Sequence, residues 1–219
     1  MHSLWSLRRL VLFMVCLCAA PSFAETAYLQ YSVGLSIVPN QNLDGTIGSS
    51  SQQSGRYTTN PGYIVGGALG MPFLEFFRAE IALNYRESDL DEMYVVPGSK
   101  GGKGEISLFS ALVNGYVDFD FDLAVVPYLG VGIGYGRMEL RGQNSGADFK
   151  IRDKDSVFVW NVMLGTTLPF SDTIDFTAEY RYLATDDPDF NSHSPTIGNS
   201  RYDSEYDAHE LVLGMRVNF

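Results

Sequence analysis

The sequence predicts an all-β protein, an eight-stranded antiparallel up-and-down transmembrane β-barrel, and three observations carry that prediction. Eight segments alternate between apolar and polar side chains, as expected for strands with one apolar and one polar face. The connections between these segments alternate between long polar stretches and short turns. Past residue 24 no apolar run approaches the roughly 20 residues that a spanning helix requires. Because 13% of the chain is aromatic and apolar residues remain plentiful, any membrane would have to be crossed by strands.

The N-terminal segment has the pattern of an export signal. Arg8 and Arg9 precede an apolar run over 10–20, and small residues stand at positions 22 and 24. This order of charge, apolar run and small residues is typical of a secretory signal peptide. We therefore predict a cleaved signal peptide over 1–24 and one outer-membrane β-barrel domain over 25–219.

Charge and cysteine content exclude several classes of function. Loss of Arg8 and Arg9 with the predicted signal would take the net charge from −11 to −13. Such an acidic balance argues against nucleic acid as a partner. Cys16 and Cys18 would leave with the same segment, so the mature chain would have no disulfide framework and no thiol chemistry.

The first four predicted strands differ in how clearly their two faces separate. Segment 27–38 alternates almost perfectly, with large apolar residues at every odd position from 29 to 37. Segment 62–71 is rich in glycine, and its facing is ambiguous. Segment 77–86 sets odd-numbered apolar residues against arginine, glutamate and asparagine at even positions. In the fourth, at about 105–119, we place Phe109, Val113, Val117 and Phe119 outward, and Asn114 and Asp118 inward.

The last four predicted strands repeat the same pattern. Segment 127–136 alternates large residues with glycine at every even position from 130 to 136. Segments 158–168 and 174–183 again separate apolar from polar residues by parity. The eighth strand starts near residue 206 and ends on the apolar series of "LVLGMRVNF". Chain ends are commonly frayed and polar, so we expect this apolar end to be held or recognised by something.

The connections predict which side of the membrane each strand end faces. The short ones read "PFLEF", "DFDLAV" and "PFSDT", and we predict that they are periplasmic turns. A soluble β-sandwich would not sort its connections in this way. The long ones, predicted to be four extracellular loops, lie at 39–61, 87–104, 141–156 and 185–205.

Aromatic residues are sorted toward the two ends of the predicted strands. Such sorting is expected where a barrel meets the two bilayer interfaces, which forms two aromatic girdles. The short-turn girdle comprises Phe73, Phe76, Phe119, Phe170, Phe176 and Phe219. The long-loop girdle comprises Tyr63, Tyr85, Tyr135, Trp160 and Tyr182.

The chain resembles a known family through four features. These are the signal peptide and the segments "SALVNGYVDFDF…VVPYLGVGIGYG", "LGTTLPFSDTIDFTAEYRYL" and "ELVLGMRVNF". They resemble the small eight-stranded outer-membrane barrels of Gram-negative bacteria, which include the membrane domain of outer-membrane protein A and the opacity-like porin family. The resemblance implies localisation in the bacterial outer membrane, with outer-membrane lipid, lipopolysaccharide and the barrel assembly machinery as partners. The residues that match the family's terminal assembly signal are Leu213, Met215, Val217 and Phe219.

Charged residues on the inward parity predict a lumen network. An isolated charge removed from water costs many kcal/mol, so charges in a narrow barrel must be paired or hydrated. An eight-stranded barrel is only wide enough for its own side chains to fill. We therefore expect a structural ion-pair network, and the alternative is a narrow polar pore. The predicted members are Arg78, Glu80, Arg86, Asp175, Glu179, Arg181, Glu210 and Arg216.

We find no motif that specifies catalysis, a cofactor or a metal. Lipid A deacylases and acyltransferases exist on small outer-membrane barrels, so His193 and His209 are the candidates to weigh. The deacylase pattern has a serine two residues after its histidine, and Pro195 stands there, so the match fails. No helix follows "GVGIGYG", and "DDPDF" and "RDKDS" lack calcium-loop spacing. We interpret both histidines as solvated polar residues.

The sequence leaves several functions open. We expect a non-enzymatic protein with a structural role in the envelope or a surface-adhesion role, in which the loops contact a host or surface ligand. The alternatives are a small-solute pore, a lipid A-modifying enzyme, and a secreted soluble barrel of the lipocalin kind. A soluble barrel would expose a continuous apolar band larger than soluble monomers tolerate. Loop aromatics that could serve recognition are Tyr57, Tyr94, Phe149, Phe190 and Tyr202.

Overall fold

The computed structural model describes most of the chain after the predicted signal peptide. The signal peptide itself lies outside the described residues. Within the described part, none of the residues forms a helix long and apolar enough to span a membrane. The described residues are 27–39, 41–47, 51–93, 102–144, 149–186, 189–194, 198–203 and 206–219. Side chains are described for 27–39, 60–89, 104–139, 141, 154–186 and 206–219.

The regular structure in these residues consists of twelve β-strands. They are β1 (Tyr28–Ile37), β2 (Gln41–Ile47), β3 (Ser51–Thr59), β4 (Gly62–Leu74), β5 (Phe77–Met93), β6 (Gly102–Asp118), β7 (Val126–Asn144), β8 (Phe149–Pro169), β9 (Ile174–Thr185), β10 (Asp189–Ser194), β11 (Gly198–Asp203) and β12 (Asp207–Asn218).

Eight of these strands close into the predicted antiparallel barrel. Around the ring the order is β1, β4, β5, β6, β7, β8, β9 and β12, and every neighbouring pair is antiparallel. The ring closes where β1 pairs with β12, from Tyr28 opposite Asn218 to Ile37 opposite His209. Closure removes the free edges that a membrane does not tolerate. The prediction of an eight-stranded up-and-down barrel is confirmed.

The four long connections are present, and much of their length is also β-strand. Strands β5 to β8 have 17 to 21 residues, whereas β1, β4, β9 and β12 have 10 to 13. Two hairpins, β2–β3 and β10–β11, rise above the shorter strands. Strand β3 pairs with the upper part of β5, and β11 pairs with β2. The barrel wall therefore continues beyond the long-loop girdle. These extensions are mostly polar at odd and even positions alike, so their sequences lack the alternation that predicts a strand.

The outer wall of the barrel is apolar, as predicted. On β1 the side chains of Val33, Leu35 and Ile37 are about half exposed, and equivalent residues ring the barrel on every strand. Lipid is the medium that suits such a band. The glycine-rich β4 follows the same parity, which resolves its ambiguous facing, because Ile64 is buried inside and Leu69 is exposed outside.

Aromatic rings pair along both edges of this apolar band. At the short-turn end Phe170 packs edge-on against Phe176, with ring centroids 5.5 Å apart. At the opposite end Trp160 packs against Tyr182 at 5.6 Å. Further pairs are Phe73–Phe77, Phe76–Phe77 and Phe119–Phe121 at the lower edge, and Tyr63–Tyr85 and Tyr135–Phe158 at the upper edge.

The lumen contains two apolar clusters in addition to polar residues. We name them by height, with the short turns at the bottom. The lower cluster consists of Tyr116, Tyr128 and Met163. The upper cluster consists of Val38, Leu108, Leu112, Met138, Val157, Val159, Leu183, Tyr206 and Ala208. All are 5% exposed or less. The expectation of a lumen defined by polar residues is therefore incomplete, because apolar side chains also fill it at two heights.

Candidate functional site

The lumen is the candidate site, and the structure places all eight predicted charged residues on its inner face. They lie at even positions of β5 and β12 and at odd positions of β9. On each strand these positions alternate with the lipid-facing ones, so the charged side chains face the lumen. Each of the four arginines has a carboxylate oxygen within 4.0 Å. The lumen arginines are therefore ion-paired, and some of them share carboxylates.

One group of charges lies around Arg78, near the short turns. Its guanidinium lies 2.8 Å from Glu80 and 2.9 Å from Asp118. The same group lies over the rings of Tyr116 and Tyr128, at 3.9 and 4.6 Å from their centroids. Two carboxylates and two ring faces thus surround one buried cation, which offsets much of its lost hydration.

Tyr28 links the Arg78 pair to β12. Its hydroxyl donates to Glu80 at 2.7 Å and accepts a hydrogen bond from Arg78 at 3.1 Å. The Arg216 guanidinium lies over the Tyr28 ring at 4.4 Å and 3.9 Å from the carboxylate of Asp175. One tyrosine therefore joins two ion pairs across the lower lumen.

Gln30 gives Arg216 a second neutral partner. The Arg216 guanidinium donates to its amide oxygen at 3.3 Å. Gln30 is 8% exposed and lies on β1, the strand that pairs with β12. The hydrogen bond therefore crosses the closure seam of the barrel.

A second group of charges lies higher in the lumen, around Glu210. Arg86 donates to Glu210 at 2.5 Å, and both side chains are at most 1% exposed. Arg86 also donates to Ser110 at 2.8 Å. Arg181 lies 2.7 Å from Glu179 and 3.7 Å from Glu210, so one carboxylate serves two arginines. These bonds connect β5, β9 and β12 through the interior.

Glycines on the inner face make room for bulky neighbours on adjacent strands. A Cβ on Gly130 would overlap the Tyr116 ring, and one on Gly165 would overlap the Tyr128 ring. The bulky partners are tyrosines one strand away, because adjacent strands are closer than the opposite wall.

The two apolar clusters restrict what the lumen can transmit. On β6 the residue Leu108 of the upper cluster lies beside Arg86. On β9 and β12 the upper cluster lies directly above the Glu210 group, since Ala208 and Leu183 occupy the next inward positions above Glu210 and Arg181. Both are 0% exposed. An ion crossing this layer would lose its hydration without gaining a partner, which is costly. In its described part the lumen therefore resembles a packed protein interior more than an aqueous channel.

The histidines weighed as catalytic candidates are not brought together in the described part of the structure. His209 lies on the outer wall, where its Nδ1 is 2.6 Å from the hydroxyl of Tyr180. Its ring packs 5.3 Å from that of Tyr182. His193 lies in β10, and its side chain is outside the described residues. No group of three metal-ligating side chains occurs in the part of the chain that the structure describes.

Four charged residues lie on the outer wall above the long-loop girdle, and we call them the charged collar: Glu105, Glu139, Arg141 and Lys154. Glu139 on β7 binds Arg141 at 2.9 Å and Lys154 at 3.0 Å. Arg141 also lies 3.6 Å from Glu105 on β6. Partial burial and the nearby Glu87 carboxylate raise the pKa of Glu105, and Arg141 opposes that rise. The pairs involve exposed side chains, so each contributes little to stability.

Sequence reasoning missed three lumen tyrosines and the apolar interior. Tyr28, Tyr116 and Tyr128 occupy inward positions, which strand parity could have revealed. The upper cluster could have been inferred from runs such as "VFVWNVML", which are apolar on both parities. Such continuous runs indicate strands buried on both faces. The loop aromatics Tyr57, Tyr94, Phe149, Phe190 and Tyr202 lie outside the described side chains.

Comparisons with known proteins agree on this architecture. A family model described as outer membrane protein beta-barrel domain matches residues 10–219. The outer membrane protein PagN of Salmonella typhimurium is 24% identical over 226 residues, covering 92% of this chain and 93% of that protein.

Solved structures of other outer-membrane proteins have the same fold. OprG of Pseudomonas aeruginosa aligns with a TM-score of 0.63 at 12% identity, covering 89% of this chain and 96% of that one. The outer membrane protease OmpT of Escherichia coli aligns with a TM-score of 0.54 at 9% identity, covering 92% and 99%. At these identities the likeness is one of fold, and function has to be argued from the residues.

Proposed function

Since the chain belongs to the outer membrane protein beta-barrel domain family and lies in the outer membrane, we propose that it is a non-enzymatic, non-conducting surface protein. Its extracellular hairpins make recognition contacts with a host or surface ligand. The observation that carries this proposal is the division of the molecule into a packed lumen and an extended extracellular wall. In a barrel filled by its own side chains, surface presented outside the membrane is the part available to partners.

The filled lumen supports the non-conducting part of the proposal. Two apolar clusters lie at different heights, and carboxylates hold the buried arginines close to them. A polar pore needs a continuous hydrated path, and the buried apolar side chains of the upper cluster do not favour one. The alternative of a pore rests on the charged residues of the lumen, and these residues form ion pairs with one another.

The hairpins support the recognition part of the proposal. Strand β11 pairs with β2 through four residue pairs, so the two hairpins form one sheet above the membrane. That sheet continues through β3 into β5, a strand of the barrel itself. A binding surface on such a wall is held in place by the barrel, which reduces the entropy lost on binding.

The position of His209 supports a non-enzymatic role. General-base chemistry of the triad type needs a histidine oriented by a carboxylate and directed at a nucleophile. The His209 ring is instead engaged by the Tyr180 hydroxyl among girdle aromatics. A lipid A-modifying activity would alter lipid A, so mass spectra of lipid A from cells with and without the protein are expected to be identical.

Replacement of one hairpin tests the proposal most directly. Residues 189–203, which span β10 and β11, would be replaced by a short Asn-Gly turn in the otherwise intact protein. We expect cells producing the natural protein to adhere to cultured epithelial cells, and cells producing the variant to lose most of that adhesion. Heat-dependent gel mobility would verify that the variant barrel is folded.

A control variant changes the turn between β8 and β9 instead. The short turn at 170–173, on the opposite side of the membrane, would be exchanged for another turn of equal length. Adhesion should remain unchanged in this variant. The proposal fails if the natural protein confers no adhesion above cells without it, or if loss of β10 and β11 leaves adhesion intact.

A further inference from the structure

The middle of the lumen contains two asparagines on either side of a glycine. Asn114 on β6, Gly132 on β7 and Asn161 on β8 are in register across three neighbouring strands. Both asparagines are 1% exposed. Their amide groups lean toward the same place on the inner face, because a Cβ on Gly132 would overlap the Oδ1 atoms of both.

Residues of the two apolar clusters lie above and below this place, which we call the chamber. Along each strand, inward positions alternate with lipid-facing ones, so the neighbours in the lumen are two residues away. Each asparagine therefore has a lower-cluster residue on one side and an upper-cluster residue on the other. These neighbours are Tyr116 and Leu112 for Asn114, and Met163 and Val159 for Asn161.

The hydrogen-bonding groups in this chamber exceed the partners that the described protein supplies. Asn114 donates from Nδ2 to the Tyr116 hydroxyl at 3.3 Å, and that hydroxyl donates to the Met163 sulfur at 3.3 Å. Among the described residues no group donates to Asn114 Oδ1, and neither amide atom of Asn161 has a partner. A buried amide left without hydrogen bonds is destabilising.

Swapping the assigned positions of the amide oxygen and nitrogen does not supply the missing hydrogen bonds. The two atoms of an asparagine amide can be assigned either way, so one end of Asn161 could be turned to bond Asn114. The other end of Asn161 would still face the lumen without a protein partner. A small molecule that both donates and accepts is therefore needed beside Asn161 in either orientation.

We propose that a water molecule is bound in this chamber, hydrogen-bonded to the amides of Asn161 and Asn114 beside Gly132. Water is the chemical match, because it can donate to a carbonyl oxygen and accept from an amide nitrogen. Gly132 keeps the chamber open, since a side chain there would displace both amides.

The experiment is a crystal structure of the full-length mature protein, at a resolution that reveals ordered water. We expect a density peak within hydrogen-bonding distance of the Asn161 amide and of Asn114. Both ends of Asn161 bonded to protein atoms, with no peak, would overturn the proposal. Soaking with rubidium tests for a monovalent cation, and an anomalous peak at the same place would also overturn it.

Two glycine variants provide a second, independent readout. Gly132→Ala would push the two amides apart, so we expect loss of the water peak and a lower midpoint of urea unfolding. Gly115→Ala is the matched control, because a Cβ there would meet no atom within 4 Å. A Gly132→Ala protein as stable as Gly115→Ala, with the peak retained, would contradict the proposed role of the glycine.

Discussion

At the scale of single residues, burial decides how much an ion pair matters. The Arg86–Glu210 pair is almost fully enclosed, and Glu210 also lies near Arg181. Glu210→Gln would leave two buried guanidinium groups short of one negative charge. We expect a loss of about 3 kcal/mol in the free energy of unfolding, the scale for breaking a buried pair. Urea unfolding of the refolded protein, followed by tryptophan fluorescence, would measure it.

The control for that substitution lies in the charged collar. Glu139 pairs with Arg141 and Lys154, whose side chains are about half and more than a third exposed. Glu139→Gln should cost less than about 1 kcal/mol, since exposed pairs are weak. Equal losses for the two substitutions would show that burial in the lumen does not set the strength of these pairs.

Glu105 in the same collar gives a pH-dependent prediction. Burial first, and then the Glu87 carboxylate, raise its pKa despite the neighbouring Arg141. A raised carboxyl pKa means that the proton binds the folded state more tightly, so this stabilisation exists in acid and is lost as pH rises. Glu105→Gln should therefore raise the midpoint of urea unfolding at neutral pH, and the gain should vanish in acid.

The exposed Glu75 in the turn after β4 provides the comparison. Glu75→Gln should change the midpoint little at neutral pH, because the side chain is exposed. A lower midpoint for Glu105→Gln at neutral pH would mean that attraction to Arg141 outweighs burial and the acidic neighbours. Glu105 is about one third exposed and solvent screens its interactions, so the change in midpoint should be small.

At the scale of strands, glycine and tyrosine residues fit together across neighbouring strands. Gly165 on β8 leaves space for the Tyr128 ring on β7, whose hydroxyl donates to Glu179 on β9 at 3.1 Å. Gly165→Ala should displace the ring and break that hydrogen bond, with a loss of about 2 kcal/mol typical of overpacking. Thermal unfolding monitored by circular dichroism would detect the change.

Two further variants test the cause of that loss. Gly67→Ala on the outer face of β4 should be tolerated, since its nearest atom would lie 3.6 Å from the new Cβ. Combining Gly165→Ala with Tyr128→Ala should cost less than the sum of the two single changes, because the clash no longer exists. Strict additivity would refute the steric explanation.

The final strand carries the predicted assembly signal. Leu213, Met215 and Phe219 are exposed on the lipid-facing wall, and the Phe219 amide donates to the carbonyl of Ala27 at 3.0 Å. Its recognition by the barrel assembly machinery stays a prediction. We expect Phe219→Ala to reduce the heat-modifiable form in outer-membrane fractions while the purified protein still refolds in detergent. Unchanged amounts in the membrane would contradict a role in assembly.

The strands that sequence analysis located best are those with one lipid-facing side and one polar side. In β1, β9 and β12 parity alone separated the two faces, because lipid and lumen make opposite demands on neighbouring residues. The hairpins β2–β3 and β10–β11 escaped prediction because both of their faces are polar. A strand in that environment has no periodic signal to detect.

At the scale of the whole molecule, the sequence predicted which residues line the lumen better than it predicted how the lumen is filled. Parity located Arg78, Arg86 and Glu210 on the inner face, but pairing depends on which strands lie opposite. The upper apolar cluster joins residues from several strands far apart in the chain. A local run can indicate that a strand is apolar on both faces, but which of these side chains meet follows from ring closure and register.

Single-channel recording tests the central claim, that packed side chains close the lumen. The purified, heat-modifiable protein would be inserted into planar lipid bilayers under an applied potential, with detergent alone as the background. We predict no current steps above that background, since an ion would have to enter the upper apolar cluster without hydration. Reproducible steps that scale with salt concentration would contradict the account and make the lumen a pore.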